Sequence, residues 1–560
     1  MSYKSARFVI AAGVLLPCAA LAQSTSPPAQ PADAAQSAAD TAGKKEAAAV
    51  NRAASIQTVE VKGKNNYDAR RDDTASKTVL NTDEIRKYGD DNIYDVLKRA
   101  PGVTVTGKTL RMRGLGEGYT QILVNGDRPP PGFSLDALTP DQIERIEIVR
   151  AASAEYSMQA IGGTINIVLR RVVAKPQRDA RLAVMHSQFT DSMNAGGTWG
   201  ERVGSVSYFI NGTFYAGHND SVSTGSDVFL DPDGTLSQAR TTRGQGGGSY
   251  HGLVLYPRLN WKIDERNELN VSAGVQATRS DWAGRSQNDD LAGTWPAPDW
   301  VDVPYSSATD QASVRGEIEW IAKVLGGKLD LTLSADRSRS DSDSLNDYYT
   351  LGRAQHLVRD WDTTSHAHRT TLRGKYNRSL FDGHALAAGF DTSRQANDDM
   401  RDRHEQQDDA APVHIVEGFE PEITRLAAFV QDEWNVTKQL SVYLGGRWEG
   451  VRTDSAATDL PETHSNSHVL SPVAQTLYKF PDASGQQLRL AFTRTYKAPT
   501  VDQLTARRYE SALNTRFDPD SGGNPALKPE LANGIDAAYE RYWPEGGMVS
   551  LSGSARNAST

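Results

Sequence analysis

Three short stretches of the sequence combine residue types that could bind a ligand or a metal ion. Residues 113–118, RGLGEG, repeat glycine as phosphate-binding loops do, but no long helix follows on which a pyrophosphate could rest. Residues 365–369, SHAHR, place His366 and His368 on one face of a strand, which is half of a metal site without a third ligand nearby. Residues 231–234, DPDG, could suggest calcium but are more typical of a turn. Backbone turns are therefore the preferred interpretation of the first and third stretches.

The remaining sequence shows no catalytic arrangement. It contains no recognisable Ser/His/Asp or Cys/His combination and no pair of carboxylates in a catalytic context. We therefore predict no catalytic residues, no cofactor and no enzymatic activity. The net charge of -9 argues against nucleic acid as a partner, because phosphate binding requires a basic face.

The N-terminus has the layout of a secretory signal peptide over residues 1–22. Two basic residues precede an apolar stretch, and residues 20–22, Ala-Leu-Ala, form a small-x-small cleavage site. Cys18 could suggest a lipid anchor, but Pro17 stands where a lipoprotein signal has a small residue. Because Cys18 is the one cysteine of the sequence, the exported chain is predicted to contain neither disulfides nor thiolate metal sites.

The chain then passes through a low-complexity segment into a compact one. Residues 23–55 hold mainly Ala, Pro, Gln and Ser, which predicts a disordered tether too short for a further folded domain. From residue 56 to 171 the pattern is that of a small α/β domain. In DNIYDVLKRAPGVTV, apolar residues at 93, 96, 97 and 100 share one helix face, with Asn92 as the cap.

Two further segments of this domain predict strands at defined turns. LTPDQIERIEIVR places Thr139 as a second cap and Pro140 in the first turn of a short helix, followed by a strand over residues 146–149. YTQILVNGDRPPPG reads as a strand closed by an Asn-Gly turn.

After residue 171 the sequence contains successive strands in which apolar and polar residues alternate. In LVLYPRLNWKI, for example, leucines and Trp261 alternate with Tyr256, Arg258, Asn260 and Lys262. Tight turns recur near residues 201, 264, 326, 382, 438, 483 and 545, and long polar stretches such as 218–248 and 394–412 are predicted to be loops. Short turns on one side and long loops on the other favour an up-and-down transmembrane barrel. A soluble antiparallel sheet with one buried face is the alternative.

Seven segments in order resemble the signatures of TonB-dependent outer-membrane receptors, over most of the exported chain. They are DVLKRAPGVTV, LRMRGLGEGYTQILVNG, IERIEIVR, AIGGTINIVLRR, FVQDEW, FTRTYKAPTVDQL and NPALKPE. The resemblance implies a mainly β fold, a transmembrane antiparallel β-barrel occluded by an N-terminal α/β plug domain. It implies a plug over 64–171 and a barrel over 172–560. Residues 150–153, Arg-Ala-Ala-Ser, depart from the Arg-Gly-Pro that family plugs carry at this point.

The resemblance also implies an energy-coupling segment and its partners. Residues 56–63, IQTVEVKG, look like a TonB box, with Gln57, Thr58, Val59, Glu60 and Val61 at its centre. Such a segment works by adding an extended strand to a partner's sheet edge. The implied partners are TonB with ExbB and ExbD, the barrel assembly machinery, outer-membrane lipid and lipopolysaccharide, and a small extracellular ligand, with the protein in the Gram-negative outer membrane.

Ligand contacts in the family come from plug apices, which should fall after PGVTV and after LVNG. The candidate ligand-facing residues are Thr106, Gly107, Lys108, Asp127, Arg128 and Phe133. Only Lys108 and Arg128 among them are basic, so we expect no dense arginine cluster for a highly anionic iron chelate. Aromatic residues in the predicted loops, at 282, 295, 300, 348 and 349, could instead stack on an apolar or sugar-like ligand. The alternative role of such residues is in the aromatic belts at the membrane interfaces. A ferric siderophore is the default ligand of the family, with a glycan, a peptide or another nutrient as alternatives.

The strand count predicts an incomplete barrel. Seven tight turns imply about fourteen or fifteen strands, whereas transporters of this kind have about 22. We therefore expect the 560 residues to be a C-terminally truncated piece of a longer protein, or a truncated product without transport activity. A signal-transducing receptor is a further alternative, which would need a folded module before the TonB box.

Overall fold

The fold was analysed in a computed structural model of the 560-residue chain. The residues that the structure describes are 73–75, 77–90, 92–107, 109–116, 118–129, 135, 138, 140–170, 176–295, 297–481, 485–505, 508–509, 511, 519–543 and 547–559. The predicted signal peptide, tether and TonB box, as well as Thr139, Lys108 and Phe133, lie outside them.

The first part of the described chain forms a small α/β domain around a four-stranded sheet with the order β1-β5-β6-β4. Strand β4 pairs with β6 in parallel and the other neighbours are antiparallel. The elements are β1 (Lys77–Asn81), α1 (Thr82–Arg86), α2 (Ile93–Lys98), β2 (Val103–Thr106), β3 (Thr109–Met112), β4 (Thr120–Val124), a 3-10 turn (Pro140–Gln142), β5 (Ile143–Val149) and β6 (Gly163–Leu169).

Local sequence signals explain these elements. The Asn92 side chain accepts a hydrogen bond from the backbone N–H of Tyr94, so the predicted cap of α2 is confirmed. The helix ends at Lys98, earlier than the apolar spacing suggested, yet Ala100 still packs in the core. The strand predicted over 146–149 begins already at Ile143, directly after the 3-10 turn. Residues 113 and 114 both adopt positive φ, which confirms the turn interpretation of RGLGEG.

The rest of the chain is a fifteen-stranded antiparallel sheet in which sequence neighbours pair in order. Its strands are β7 (Gln177–His186), β8 (Thr190–Val203), β9 (Val206–Leu230), β10 (Leu236–Lys262), β11 (Asn267–Ala292), β12 (Trp300–Val324), β13 (Gly327–Thr350), β14 (His356–Ser379), β15 (His384–Gln407), β16 (Val413–Asn435), β17 (Leu440–Ala457), β18 (Leu460–Lys479), β19 (Gln486–Lys497), β22 (Glu530–Tyr542) and β23 (Met548–Ser559). Between β19 and β22 lie α3 (Val501–Leu504) and the two-residue strands β20 (Arg508–Tyr509) and β21 (Ser521–Gly522). Strands β7 and β23 are the two edges of this sheet within the described ranges.

The predicted alternation is confirmed, with the apolar rows outward and the polar rows inward. On β12, Val314 and Ile318 are exposed, whereas Glu319 is buried. On β10, Leu253 and Leu259 are exposed, whereas Asn260 is buried. We call the side with the exposed apolar residues the outer face and the other the inner face. Exposed apolar rows over a polar interior are the arrangement of a barrel in lipid and the reverse of the soluble alternative.

The seven predicted tight turns are confirmed, but the predicted long loops are wrong. The chain turns at 204–205, 263–266, 325–326, 380–383 and 436–439, and the paired strands β18/β19 and β22/β23 have ends that flank the predicted positions 483 and 545. The polar stretches 218–248 and 394–412 instead continue as paired strands, and their hairpins turn only at 231–235 and 408–412. A strand needs only about 9–11 residues to cross a bilayer. Strands β9 to β14 have 24 to 27 residues, so they extend well beyond that length.

The sheet curves around the α/β domain, because strands distributed along its width, from β9 to β22, contact this domain on their inner face. Gln142 hydrogen-bonds Asn211 on β9, and Arg258 on β10 donates to the Arg170 carbonyl at 2.7 Å. At the other end, Arg113 pairs with Asp536 on β22 at 2.5 Å. The small domain therefore lies inside the curved sheet. No helix among the described residues is long and apolar enough to span a bilayer.

A buried carboxylate on β5 should contribute measurably to the stability of the small domain. Glu147 is 8% exposed and accepts hydrogen bonds from Arg145 Nε at 2.8 Å and Asn166 Nδ2 at 3.0 Å. Burial raises the pKa of Glu147, but the Arg145 and Lys77 cations and the Asn166 amide outweigh it and hold this pKa below its ordinary value. Glu147→Gln is expected to cost about 2 kcal/mol at neutral pH, the usual worth of a charge-assisted hydrogen bond.

The check is urea unfolding of the domain, followed by hydrogen exchange of β5 and β6. Because the pKa of Glu147 is depressed in the fold, its contribution is present above the unfolded pKa and disappears as the pH falls through the folded pKa. The difference between the parent and Glu147→Gln should therefore vanish in acid. Glu144→Gln is the control, since Glu144 is 47% exposed and its pair with Arg145 should be worth under about 1 kcal/mol. Equal losses from both variants would contradict the prediction.

Candidate functional site at the apex of the inner domain

The site begins with the tight turn after β4. Asn125 and Gly126 have φ of 54° and 82°, the left-handed conformation that Asn-Gly turns supply. Backbone hydrogen bonds join Val124 and Asp127 in both directions, at 2.8 and 3.0 Å. The Asn125 side chain accepts from the backbone N–H of Leu169 at 2.9 Å, which fixes the turn to β6. The predicted Asn-Gly turn is thus confirmed, and it presents the next two residues to the surrounding sheet.

Asp127 ties this turn to the sheet through two arginines. Its carboxylate lies 3.0 Å from Arg315 on β12 and 3.1 Å from Arg373 on β14. Arg315 also contacts Glu317 at 2.9 Å and Asp336 at 3.2 Å. Asp127 is buried and the two guanidinium groups are about a fifth exposed, so the pairs are partly shielded from water. We call Asp127, Arg315 and Arg373 the apex latch.

Next to the latch lies a group of three arginines: Arg128 of the turn, Arg369 on β14 and Arg425 on β16. Arg369 donates to the Arg128 carbonyl at 2.9 Å and pairs with Asp336 at 3.1 Å. Arg425 is close enough to Arg128 and Arg369 for their positive charges to act on it, and the carboxylate of Asp391 acts on it in the opposite direction. Its Nε is buried without a hydrogen-bond partner, and no carboxylate of the described residues forms an ion pair with it. We call these three residues the arginine cluster.

The expectation of no dense arginine cluster was therefore wrong. Arg369 lies 241 positions from Arg128 in the chain, and the curved sheet brings the two together. The sequence did contain a signal, because alternate residues of a strand face the same side of the sheet. Arg369 and Arg425 fall on the polar, inward-facing positions of their strands. An excess of positive charge at such a point can bind an anion, because charge-assisted hydrogen bonds to guanidinium groups are strong and directional.

A second set of contacts holds residues 154–159 against the wall of the sheet. Tyr443 Oη accepts from the Ala154 N–H at 2.8 Å, and Glu449 accepts from the Met158 N–H at 2.8 Å. Arg447, which is 1% exposed, pairs with Glu449 at 3.2 Å and lies beside the carbonyls of residues 154 and 155. These contacts fix residues 154–159, and Ser157 of this segment accepts a hydrogen bond from Arg128 of the arginine cluster at 3.4 Å.

The other predicted apex does not join this site. Thr106 and Gly107 are exposed at the tip of the β2–β3 hairpin, and no described contact connects them with Asp127 or Arg128. Thus, of the sequence-predicted candidates, the structure places Asp127 and Arg128 at the latch and the arginine cluster, and Lys108 and Phe133 lie outside the described residues.

The aromatic residues expected in loops are packed against their own neighbours instead. Trp300 and Tyr348 are buried together with ring centroids 6.0 Å apart, in a cluster with Leu357. Tyr349 stacks on the His356 ring at 4.4 Å, and Arg240 lies 3.7 Å over the Trp295 ring. They therefore stabilise the projecting strands. His366 and His368 stand opposite residues 398 and 396 of β15 and belong to no three-residue metal-ligand group among the described residues.

Comparison with known proteins gives matches to both parts of the chain. Residues 276–554 match the family model "TonB dependent receptor-like, beta-barrel", and residues 69–164 match "TonB-dependent Receptor Plug Domain". The iron-regulated outer membrane virulence protein of Vibrio cholerae serotype O1 is 26% identical over 394 residues, which cover 67% of this chain and 51% of that protein. The chain thus spans about half the length of this curated relative.

Solved structures show the same fold. A mutant of the ferric enterobactin receptor PfeA from Pseudomonas aeruginosa superposes with a TM-score of 0.57 at 16% identity, covering 88% of this chain and 72% of that one. The siderophore receptor PiuA from Acinetobacter baumannii gives a TM-score of 0.58 at 12% identity, covering 87% and 72%. At these identities the likeness concerns the architecture alone.

Proposed function

Since this chain belongs to the TonB-dependent outer-membrane receptors, with a plug and a receptor barrel, we propose that it takes part in the energised import of an anionic nutrient, a ferric siderophore, across the outer membrane. The observation that carries the proposal is the arginine cluster, where Arg425 lies near two like charges, feels only the more distant carboxylate of Asp391, and forms no ion pair among the described residues. An anionic chelate at this point would offset that repulsion. Neutral glycans and peptides would gain much less from it.

Transport needs energy for two reasons. The plug lies inside the curved sheet and blocks the path, and a scarce ligand must be bound tightly. Nanomolar affinity corresponds to about -12 kcal/mol, so release inward would be slow without external work. We propose that TonB, with ExbB and ExbD, supplies that work through residues 56–63. Residues 64–171 would form the plug and 172–560 the barrel, after export by the signal peptide and insertion by the barrel assembly machinery into lipid and lipopolysaccharide.

The proposal is tested by uptake of radioactive iron in a strain that lacks its own siderophore receptors and expresses this chain. Ferric chelates of different net charge, together with labelled oligosaccharides and peptides, are compared in cells with and without TonB. We expect TonB-dependent uptake that is confined to anionic ferric chelates. Uptake of glycans or peptides but not of ferric chelates would show that the proposed ligand class is wrong. Uptake without TonB would contradict energised import.

Arg425→Gln should weaken binding of the anionic chelate by about ten- to a hundredfold, since a charge-assisted hydrogen bond is worth about 1.5–3 kcal/mol. Binding to cells is measured in the cold, without metabolic energy. The matched control is Arg394→Gln. Arg394 lies on β15, one position away from the residue that pairs with Arg425, and its side chain is on the opposite face of the sheet, where it forms an ion pair with Glu422 at 2.7 Å. An equal loss in the control, or none in Arg425→Gln, would exclude the arginine cluster as the binding site.

A further inference from the structure

A group of metal-ligating side chains lies far from the arginine cluster, at the end of the β15–β16 hairpin. It consists of Asp402 and His404 on β15 and His414 on β16, close to the turn at 408–412. His404 and His414 are directly paired across the two strands, and Asp402 is two residues from His404. All three side chains therefore project from the same side of the sheet.

The ligand atoms of these residues converge. His414 Nε2 lies 2.6 Å and His404 Nδ1 3.7 Å from the same carboxylate oxygen of Asp402, and all three ligand atoms are within 4.8 Å of one another. The two imidazole rings stack with centroids 4.2 Å apart and planes 9° from parallel. Tetrahedral ligands at zinc distances are about 3.3 Å apart, so side-chain rotations suffice to enclose an ion.

The electrostatic surroundings also favour a cation. Asp362 on β14 stands opposite Asp402, and Asp343 on β13 stands opposite Asp362. Asp360 stands opposite His404. Like charges directly opposite one another on a sheet are destabilising, and a divalent cation would offset that repulsion. The nearby Arg403 faces the other side of the sheet, where it pairs with Glu405.

We propose that Asp402, His404 and His414 form a binding site for a first-row divalent cation of the Zn²⁺ class, with a fourth position open to water. Two imidazoles and one carboxylate suit Zn²⁺, Cu²⁺ or Ni²⁺ rather than Mg²⁺ or Ca²⁺, which prefer oxygen ligands throughout. The bound ion would cross-link β15 and β16 near the turn at 408–412. This inference does not depend on the ligand that the protein imports.

The test uses the full chain, purified in detergent, freed of metal with a chelator and titrated with ZnCl₂ in a calorimeter. We expect one high-affinity Zn²⁺ per chain, no competition from millimolar Mg²⁺, and at least a tenfold loss of affinity in His404→Ala, His414→Ala and Asp402→Asn. Asp402→Asn keeps the shape of the side chain, so its loss reports the missing charge. Because the three side chains are about half exposed, the variants should fold normally. Folding is checked by comparing the gel migration of heated and unheated samples.

The matched control is His464→Ala, which removes a cross-strand His–Asp pair of 2.7 Å with Asp454 that includes no second histidine. Its Zn²⁺ affinity should equal that of the parent. Co²⁺ gives a second readout, since a tetrahedral site with histidine ligands produces visible absorption bands. Unchanged Zn²⁺ binding in the three variants, an equal loss in the control, or a parent without Co²⁺ bands would overturn the proposal.

Discussion

Asp127→Ala is expected to loosen the plug by about 3 kcal/mol, because removing one partner of a buried ion pair leaves the other charge uncompensated. Among the contacts of the described residues, Arg373 would keep its hydrogen bond to the Asn125 carbonyl, at 3.3 Å. Arg315 would still contact Glu317 and Asp336, which is why the loss should stay at the lower end of the range for buried pairs. The turn after β4 would then open much more often than in the parent.

Hydrogen exchange measures this directly. Amides of β4 and β6 should exchange about a hundredfold faster in Asp127→Ala, the equivalent of about 3 kcal/mol. Asp281→Ala is the control, since Asp281 and its partner Arg279 are both more than half exposed and such pairs contribute about 0–1 kcal/mol. Asp127→Asn, which keeps the shape and loses the charge, should resemble Asp127→Ala. Unchanged protection in both Asp127 variants would show that the apex latch does not hold the plug.

Val59→Pro should abolish uptake while ligand binding at the outer face stays at the parental level. Val59 lies in the predicted TonB box, outside the described residues. Proline removes a main-chain donor, so a strand that adds to the edge of a TonB sheet would lose a ladder hydrogen bond and its extended register. Uptake and cold binding of the same ferric chelate, measured on the same cells, separate the two effects.

Two variants isolate the role of the main chain in this prediction. Val59→Ala retains the N–H and should keep uptake, because the side chains of an augmenting strand need only permit extension. Ala35→Pro places proline in the Pro-rich segment 23–55 and should also be neutral. Full uptake by Val59→Pro would refute the assignment of residues 56–63, and loss in Ala35→Pro would point to a general effect of proline on export or assembly.

Much of the fold could be predicted because strand periodicity and turn chemistry are local. Each inward residue of β12 has an outward neighbour one position away, and Asn125-Gly126 requires nothing beyond its own backbone preferences. The helix cap at Asn92 is equally local. The sequence therefore indicated the order of the strands and their turns, which depend on residues only a few positions apart.

The loop prediction is wrong because a polar composition does not by itself indicate irregular structure. Residues 218–230 and 236–248 have few apolar side chains, yet every residue except Ser237, which lies at a register shift, still pairs with the neighbouring strand. Beyond the bilayer both faces of a sheet meet water, so the apolar and polar alternation disappears while the hydrogen bonds continue. Composition alone does not distinguish such a strand from a loop.

The arginine cluster was missed for a different reason. Arg128, Arg369 and Arg425 come from a turn and two strands that share no local pattern, and only the curvature of the sheet around the plug brings them together. A register for the whole sheet would have been needed to find the cluster.

The long projecting hairpins have a consequence for selection. At about 3.3 Å per residue, a strand of 25 residues measures about 80 Å, more than twice the apolar thickness of a membrane. Neighbouring strands are hydrogen-bonded to each other up to their tips. The projecting hairpins therefore cannot bend over a solute without breaking the hydrogen bonds between their strands. If the proposed import is correct, these hairpins would act as a rigid rim around the entry path, and they would not close over a solute as a hinged lid does.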